Sequence, residues 1–187
     1  MLELTAKQVE QALPKIVKPL AKYLWLQGRA AKLRNPELDE EFCRRFSGFY
    51  RLRARDAAWR QTYFTMMGEM RDDRSDFRGC LTRFHAATGR VEASFASKLL
   101  ATLDPTLPVL DSVVLGHLGL KLPAQYEIDR IEKTTAVYQR LTDEMVEYVN
   151  STSGAKVLAA FRCYSDDFRR ADLTEIKIVD LVLWQIR

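Results

Sequence analysis

An all-α fold follows from three features of the 187-residue sequence. Apolar residues recur at helical spacing in nearly every segment, and no stretch sustains the alternation of a strand. Helix-starting residues stand ahead of the apolar runs, as in Asn35-Pro36, Asp56, Asp111 and Thr174. A chain of this length can bury one sizeable core, so residues 1–187 read as a single compact multi-helix domain. Residues 1–34 supply N-terminal helices, 35–150 a core built around a helical hairpin, and 151–187 helices that pack back onto it.

Taken in order, Leu4 to Leu13 is a short amphipathic helix halted near Pro14, and Ile16 to Leu33 continues helically. Pro19 is expected to begin or kink a turn there. Tyr23, Leu24, Trp25 and Leu26 form an apolar block suited to the core. Asn35 is the expected N-cap of a helix that starts at Pro36, runs to about Tyr50 and buries Phe42, Phe46 and Phe49. Asp56 caps a helix with Trp59, Tyr63, Phe64, Met67 and Met70 on one face, a stripe that reads as core. Ser75 or Asp76 caps the next, from Phe77 to Ala87. Pro123 opens a long helix to about Asn150, with Ile128, Ile131, Tyr138, Leu141, Met145 and Tyr148 along one side. Ser151 to Gly154 reads as a loop, Ala155 to Phe168 as a helix, and Thr174 to Ile186 as a capped helix pinned by Ile176, Val179, Leu183 and Trp184.

Composition narrows the function classes. No run approaches the ~18 apolar residues of a membrane span. The N-terminal stretch is amphipathic and carries acidic residues, unlike a signal peptide. Cys43, Cys80 and Cys163 are scattered and make neither a disulfide framework nor a zinc knuckle, so a reducing, cytoplasmic setting is expected. No P-loop or dinucleotide glycine motif is present, and His85 and His117 lack further ligands at metal-binding spacing. No cofactor or metal is expected. Net charge is +4, and between Glu41 and Arg60 six arginines (Arg44, Arg45, Arg51, Arg53, Arg55, Arg60) meet only Glu41 and Asp56. Such a concentration suits phosphate contacts, with Arg51, Arg53 and Arg55 in the connector as candidates, and equally suits a solvated helix face.

The most informative stretch is Ala86 to Leu120. Thr88-Gly89-Arg90 is a tight turn between two helices, the second running from Val91 to Leu103. Gly89 suits the left-handed residue that ends a helix, and the turn's N–H groups with Arg90 could hold a phosphate. An ordinary helical corner with a glycine cap fits the same residues. Small residues at Ala93, Ser94, Ala96, Ser97 and Ala101 allow close packing of the second helix. Lys98 within it is either a stem that reaches solvent or a buried amine of lowered pKa. The loop Asp104-Pro-Thr-Leu-Pro-Val-Leu then delivers Asp111 to the start of the next helix, where it is at least an N-cap.

This layout resembles the helix-hairpin-helix DNA glycosylase (HhH-GPD) superfamily. The resemblance spans Ala86 to Leu120, extends loosely back to Phe42, and is most specific in Pro108-Val-Leu-Asp111-Ser-Val-Val. It implies a glycosylase-like helical fold, double-stranded DNA as partner, and Asp111 as the carboxylate that stabilises charge on the sugar as a base departs. Bifunctional members carry a lysine just after the turn, where this chain has Val91 and Glu92. The resemblance therefore implies, at most, a hydrolase without the lyase lysine at its usual place, with Lys98 a displaced candidate. Trp25 and Trp59 are candidate base stackers if they are not core. A non-catalytic nucleic-acid-binding module and a helical protein-interaction domain are the alternatives.

Overall fold

The computed structural model describes residues 2–52, 55–73 and 76–186. The elements are α1 (Ala6–Ala30), a 3-10 turn (Pro36–Leu38), α2 (Glu40–Phe49), α3 (Ala57–Asp73), α4 (Phe77–Thr88) and α5 (Ala93–Leu103). There follow α6 (Ser112–His117), α7 (Arg130–Val149), α8 (Thr152–Tyr164), α9 (Asp166–Arg170) and α10 (Glu175–Gln185). Among the described residues there is no strand, and no helix is long and apolar enough to cross a membrane.

The centre of the fold is α10. Every residue from Ile176 to Leu183 is buried, as a helix that is apolar all round apart from one internal ion pair, Lys177–Asp180, requires. It packs against α1, α6, α7 and α8. A second buried layer comes from α5, whose Ala93, Ala96, Ser97 and Ala101 allow α4 to approach closely.

The N-terminal prolines do not break the chain as expected. A single helix, α1, runs through Pro14 and Pro19. Each interior proline costs about 3 kcal/mol of helix stability. Against this, Val9, Leu13, Ile16, Leu20, Tyr23 and Leu26 are all buried on one face, at about 1.5–3 kcal/mol for each large apolar side chain. Burial therefore wins. The helix begins at Thr5, whose hydroxyl accepts from the Gln8 N–H while Gln8 Oε1 accepts from the Thr5 N–H, a reciprocal cap.

Other boundaries shift for local reasons. Asn35 makes no capping hydrogen bond. The helix after it starts instead at Asp39, whose Oδ1 accepts from the Phe42 N–H at 2.8 Å. That N–H and the Arg29 guanidinium, 2.7 Å from Oδ2, hold the Asp39 carboxyl below the usual range. Asp56 and Asp76 cap α3 and α4 as expected, accepting from the Trp59 and Gly79 N–H groups at 2.8 Å; Ser75 lies outside the described residues. The helix expected from Pro123 begins only at Arg130, because Asp129 is left-handed (φ 58°). Ile128 is consequently exposed rather than on the buried stripe of Tyr138, Leu141, Met145 and Tyr148. Ser165 is extended and divides the expected Ala155–Phe168 helix in two, which turns Phe168 onto Phe161 at 4.5 Å between ring centroids.

The expected loop at Ser151 to Gly154 is instead a sharp corner. Ser151 caps α8, donating to the Tyr148 carbonyl at 2.7 Å and accepting from the Gly154 N–H at 3.0 Å. A Cβ on Gly154 would stand 1.9 Å from the Tyr148 carbonyl oxygen, so only glycine fits. Gly154→Ala is expected to destabilise the protein by about 2 kcal/mol or more through forced overpacking. Gly28→Ala, at a helical site with nothing within 4 Å of the added carbon, should instead add about 0.5–1 kcal/mol. Urea denaturation of the two variants checks both signs.

Candidate functional site

A cavity of about 830 Å³ opens between α5, the start of α6, the corner after α2, and α10. Its walls include Tyr23, Phe49, Tyr50 and Trp184, and it receives the charged side chains of Arg51, Lys98, Asp111, Lys121, Lys177 and Asp180. Apolar walls with a few convergent polar groups are the usual character of a ligand site.

Asp111 is held from both sides. As N-cap of α6, its Oδ1 accepts from the Val113 and Val114 N–H groups at 2.9 and 3.1 Å. The loop that delivers it is tied to three helices. The Thr174 hydroxyl donates to the Pro105 carbonyl at 2.5 Å, Tyr138 donates to the Pro108 carbonyl at 3.0 Å, and the Leu110 N–H donates to Ser97 Oγ at 2.9 Å. Ser97 is wholly buried and adjoins Lys98 in α5. One short segment of α5 thus sets the position of both the amine and the carboxylate.

Lys98 is not a solvent-reaching stem. Its Nζ donates to the Tyr50 carbonyl at 3.3 Å and lies 5.2 Å from the centroid of the Phe95 ring. Burial lowers its pKa to about 8; Asp111 opposes that shift and Arg51 adds to it. Arg51 occupies a left-handed conformation (φ 60°), a strained choice for a non-glycine residue. It brings its guanidinium 5.9 Å from the Trp184 ring, on the cavity wall.

The remaining expected residues gather elsewhere. Gly89 is left-handed (φ 69°) and its N–H donates to the His85 carbonyl at 2.8 Å, closing α4 as the turn requires. Thr88 Oγ1 donates to the Phe84 carbonyl at 2.7 Å and accepts from the Arg90 N–H at 3.3 Å. Gly89 and Arg90 border a separate recess of about 300 Å³, shared with His85 and Arg130. Arg55 is committed to Glu92: one guanidinium nitrogen donates to both carboxylate oxygens, at 2.7 and 2.8 Å. Its guanidinium also lies 5.0 Å from both the Trp59 and Phe95 rings. Arg90 approaches the same carboxylate at 3.9 Å. Arg53 lies outside the described residues. Trp59 stacks among Tyr63, Phe84 and Phe95 as core, and Trp25 lies under the Arg45 guanidinium at 4.2 Å.

Sequence reasoning missed Lys177 and Asp180. They form an ion pair in α10 with Nζ 2.7 Å from Oδ2. Burial pushes the Asp180 carboxyl above the ordinary range and Lys177 opposes this. Burial also works against the Lys177 ammonium, but Asp180 and the neighbouring tyrosines keep its pKa above the usual lysine value. The signal was available: two charges one helical turn apart inside the apolar run Ile176 to Trp184. Among the described residues no group of His, Cys, Asp or Glu is arranged to hold a metal ion. Burial pushes the Cys43 and Cys80 thiols up to about 12, far from a reactive thiolate.

Comparison of the chain with models of known families, with curated proteins and with solved structures gave no match. The site must therefore be read from its own geometry.

The Lys98 shift has a measurable sign. Between about 8 and the ordinary 10.5, the unfolded chain keeps a proton on this amine that the folded chain has released. Its contribution to stability therefore rises with pH across that window and is most unfavourable below it. Lys98→Met is expected to gain about 1–3 kcal/mol at pH 7, with the gain shrinking as pH climbs towards 10. Urea melts of both proteins at the two pH values test this.

Proposed function

We propose that this protein is a monofunctional DNA N-glycosylase-like enzyme whose base pocket is the cavity between α5, α6 and α10. The observation that carries the reading is the convergence of Asp111 and Lys98 on one aromatic-walled cavity. A rigid carboxylate beside a partly desolvated amine suits cleavage of an N-glycosidic bond. As the bond between C1′ and the base nitrogen breaks, the bonding pair leaves with the base and positive charge grows on the sugar. Asp111, already fixed by two backbone N–H groups, stabilises that charge without reorganising. Water then adds to C1′ and releases a proton.

Lys98, with a pKa of about 8, is mainly an ammonium at neutral pH. In that form it is a proton donor or electrostatic anchor for the departing base rather than a nucleophile. By the resemblance, the position where bifunctional enzymes keep their lysine falls at Val91 and Glu92, and Glu92 is buried against Arg55. That favours hydrolysis over a Schiff-base route. A nucleotide reaches such a pocket only when flipped out of the duplex. At the turn from Thr88 to Arg90 the Gly89 and Arg90 N–H groups are already taken, by the His85 carbonyl and by Thr88 Oγ1, so a phosphate contact there would fall to the Arg90 side chain.

The same Glu92 carboxylate pairs with Arg55 and approaches Arg90, which lowers the charge that these two arginines offer a phosphate backbone under either nucleic-acid reading.

Asp111→Asn is the decisive variant, because asparagine also caps a helix well. Base release from duplexes carrying modified bases is expected to fall by about 100-fold or more, with the thermal midpoint nearly unchanged. Release at the wild-type rate by this variant, or none by the wild type across a broad panel of modified bases, would exclude the reading.

A further inference from the structure

The cavity holds a second polar feature for which the proposed bond cleavage has no use. Lys177 and Asp180 lie in its wall on a helix that is otherwise apolar, with side chains 2% and 11% exposed. Stability does not require such a pair, since well-packed apolar residues of similar volume commonly do as well or better. The pair is also incompletely used. Asp180 accepts from Lys177 through Oδ2, which leaves Oδ1 for another donor. The Lys177 ammonium has three N–H groups, of which one serves Asp180, and it lies 5.0 Å from the centroid of the Tyr23 ring. An acceptor and a donor thus stand side by side, flanked by Tyr50 and by Trp184, whose ring is 5.7 Å from Phe49.

We propose that Lys177 and Asp180 are the specificity-determining residues of the pocket and that they read the lactam edge of a base, a ring N–H next to a carbonyl. Asp180 accepts from the ring N–H and Lys177 donates to the carbonyl oxygen. Both members are charged, and the lactam edge suits charged partners best among base edges: its ring N–H is the most acidic and its carbonyl a strong acceptor. Hypoxanthine-, guanine- and uracil-type bases carry this edge. Adenine and cytosine present an unprotonated ring nitrogen beside a weakly acidic amino group. The aromatic side chains supply a stacking surface for the ring. The inference rests on the reading of the cavity as a base pocket, and it concerns recognition rather than the bond that is cut.

Ligand-detected NMR on the full chain measures the dissociation constants of hypoxanthine, uracil, adenine, 1-methylcytosine (methylated where the sugar is attached in a nucleotide) and 1-methylhypoxanthine. Hypoxanthine and uracil are expected to bind about tenfold or more tightly than the other three, because a site built around a hydrogen bond rejects analogues that lack it. Equal binding of adenine, or of 1-methylhypoxanthine in which the ring N–H is replaced, overturns the proposal; so does binding of none of the five. Asp180→Asn would strand the buried Lys177 charge and can unfold the chain. The double variant Lys177→Met with Asp180→Leu keeps the volume and removes both charges. It should fold and bind hypoxanthine and 1-methylhypoxanthine alike, and an unchanged preference in it also overturns the proposal. The wild-type preference needs no variant and no turnover. Lactam preference without base release from any duplex therefore defeats the glycosylase reading alone, and base release without the preference defeats this one alone.

Discussion

A helix that is apolar all round but for one internal ion pair must be enclosed, and α10 imposes that requirement on the rest of the chain. Its residues from Ile176 to Leu183 are all buried, so α1, α6, α7 and α8 must close around it. The demand is strong enough to carry α1 straight through two prolines. It also explains where the cavity lies. Four helices around a fifth leave a gap where one of them is too short, and α6 is short. The space beside it is walled by α10 itself, by α5 and by the corner at Tyr50 and Arg51.

Much of the fold was legible because its signals are local. Caps at Asp56, Asp76, Asp111 and Thr174 depend on one side chain reaching an N–H two or three residues on. The left-handed Gly89 is likewise a local matter. What was not legible depended on distant partners. Whether Pro14 and Pro19 end a helix is settled by the apolar face that α1 buries against α10 and α2. The late start of α7 reflects a left-handed Asp129 that no periodicity announces. The break at Ser165 comes from Phe168 folding back onto Phe161 and Tyr164.

The same division applies to the site. Asp111 and Lys98 could each be singled out from neighbouring residues, but their common cavity exists only through contacts far apart in the chain. Ser97 to Leu110, Tyr138 to Pro108 and Thr174 to Pro105 are the ties that place the loop. The arginine concentration has a spatial side that the sequence does not carry. Charge counted along a sequence ignores pairing in space, and Arg55 finds its partner in Glu92, thirty-seven residues on. Lys177 and Asp180 show the converse: two charges that look like interruptions of an apolar helix are its most enclosed polar groups.

The position of α10 in chain order has a consequence for how the molecule comes into being. A ribosome delivers the surrounding helices first and their centre after all of them. Until Leu183 has emerged, α1, α7 and α8 display apolar faces with nothing to enclose, and the Pro105 carbonyl lacks the hydroxyl of Thr174. Folding therefore cannot proceed piecemeal from the N-terminus, as it does in chains whose domains close in succession. Closure of the layer around α10 is the last step open to the nascent chain, whatever contacts the earlier helices have already made with one another.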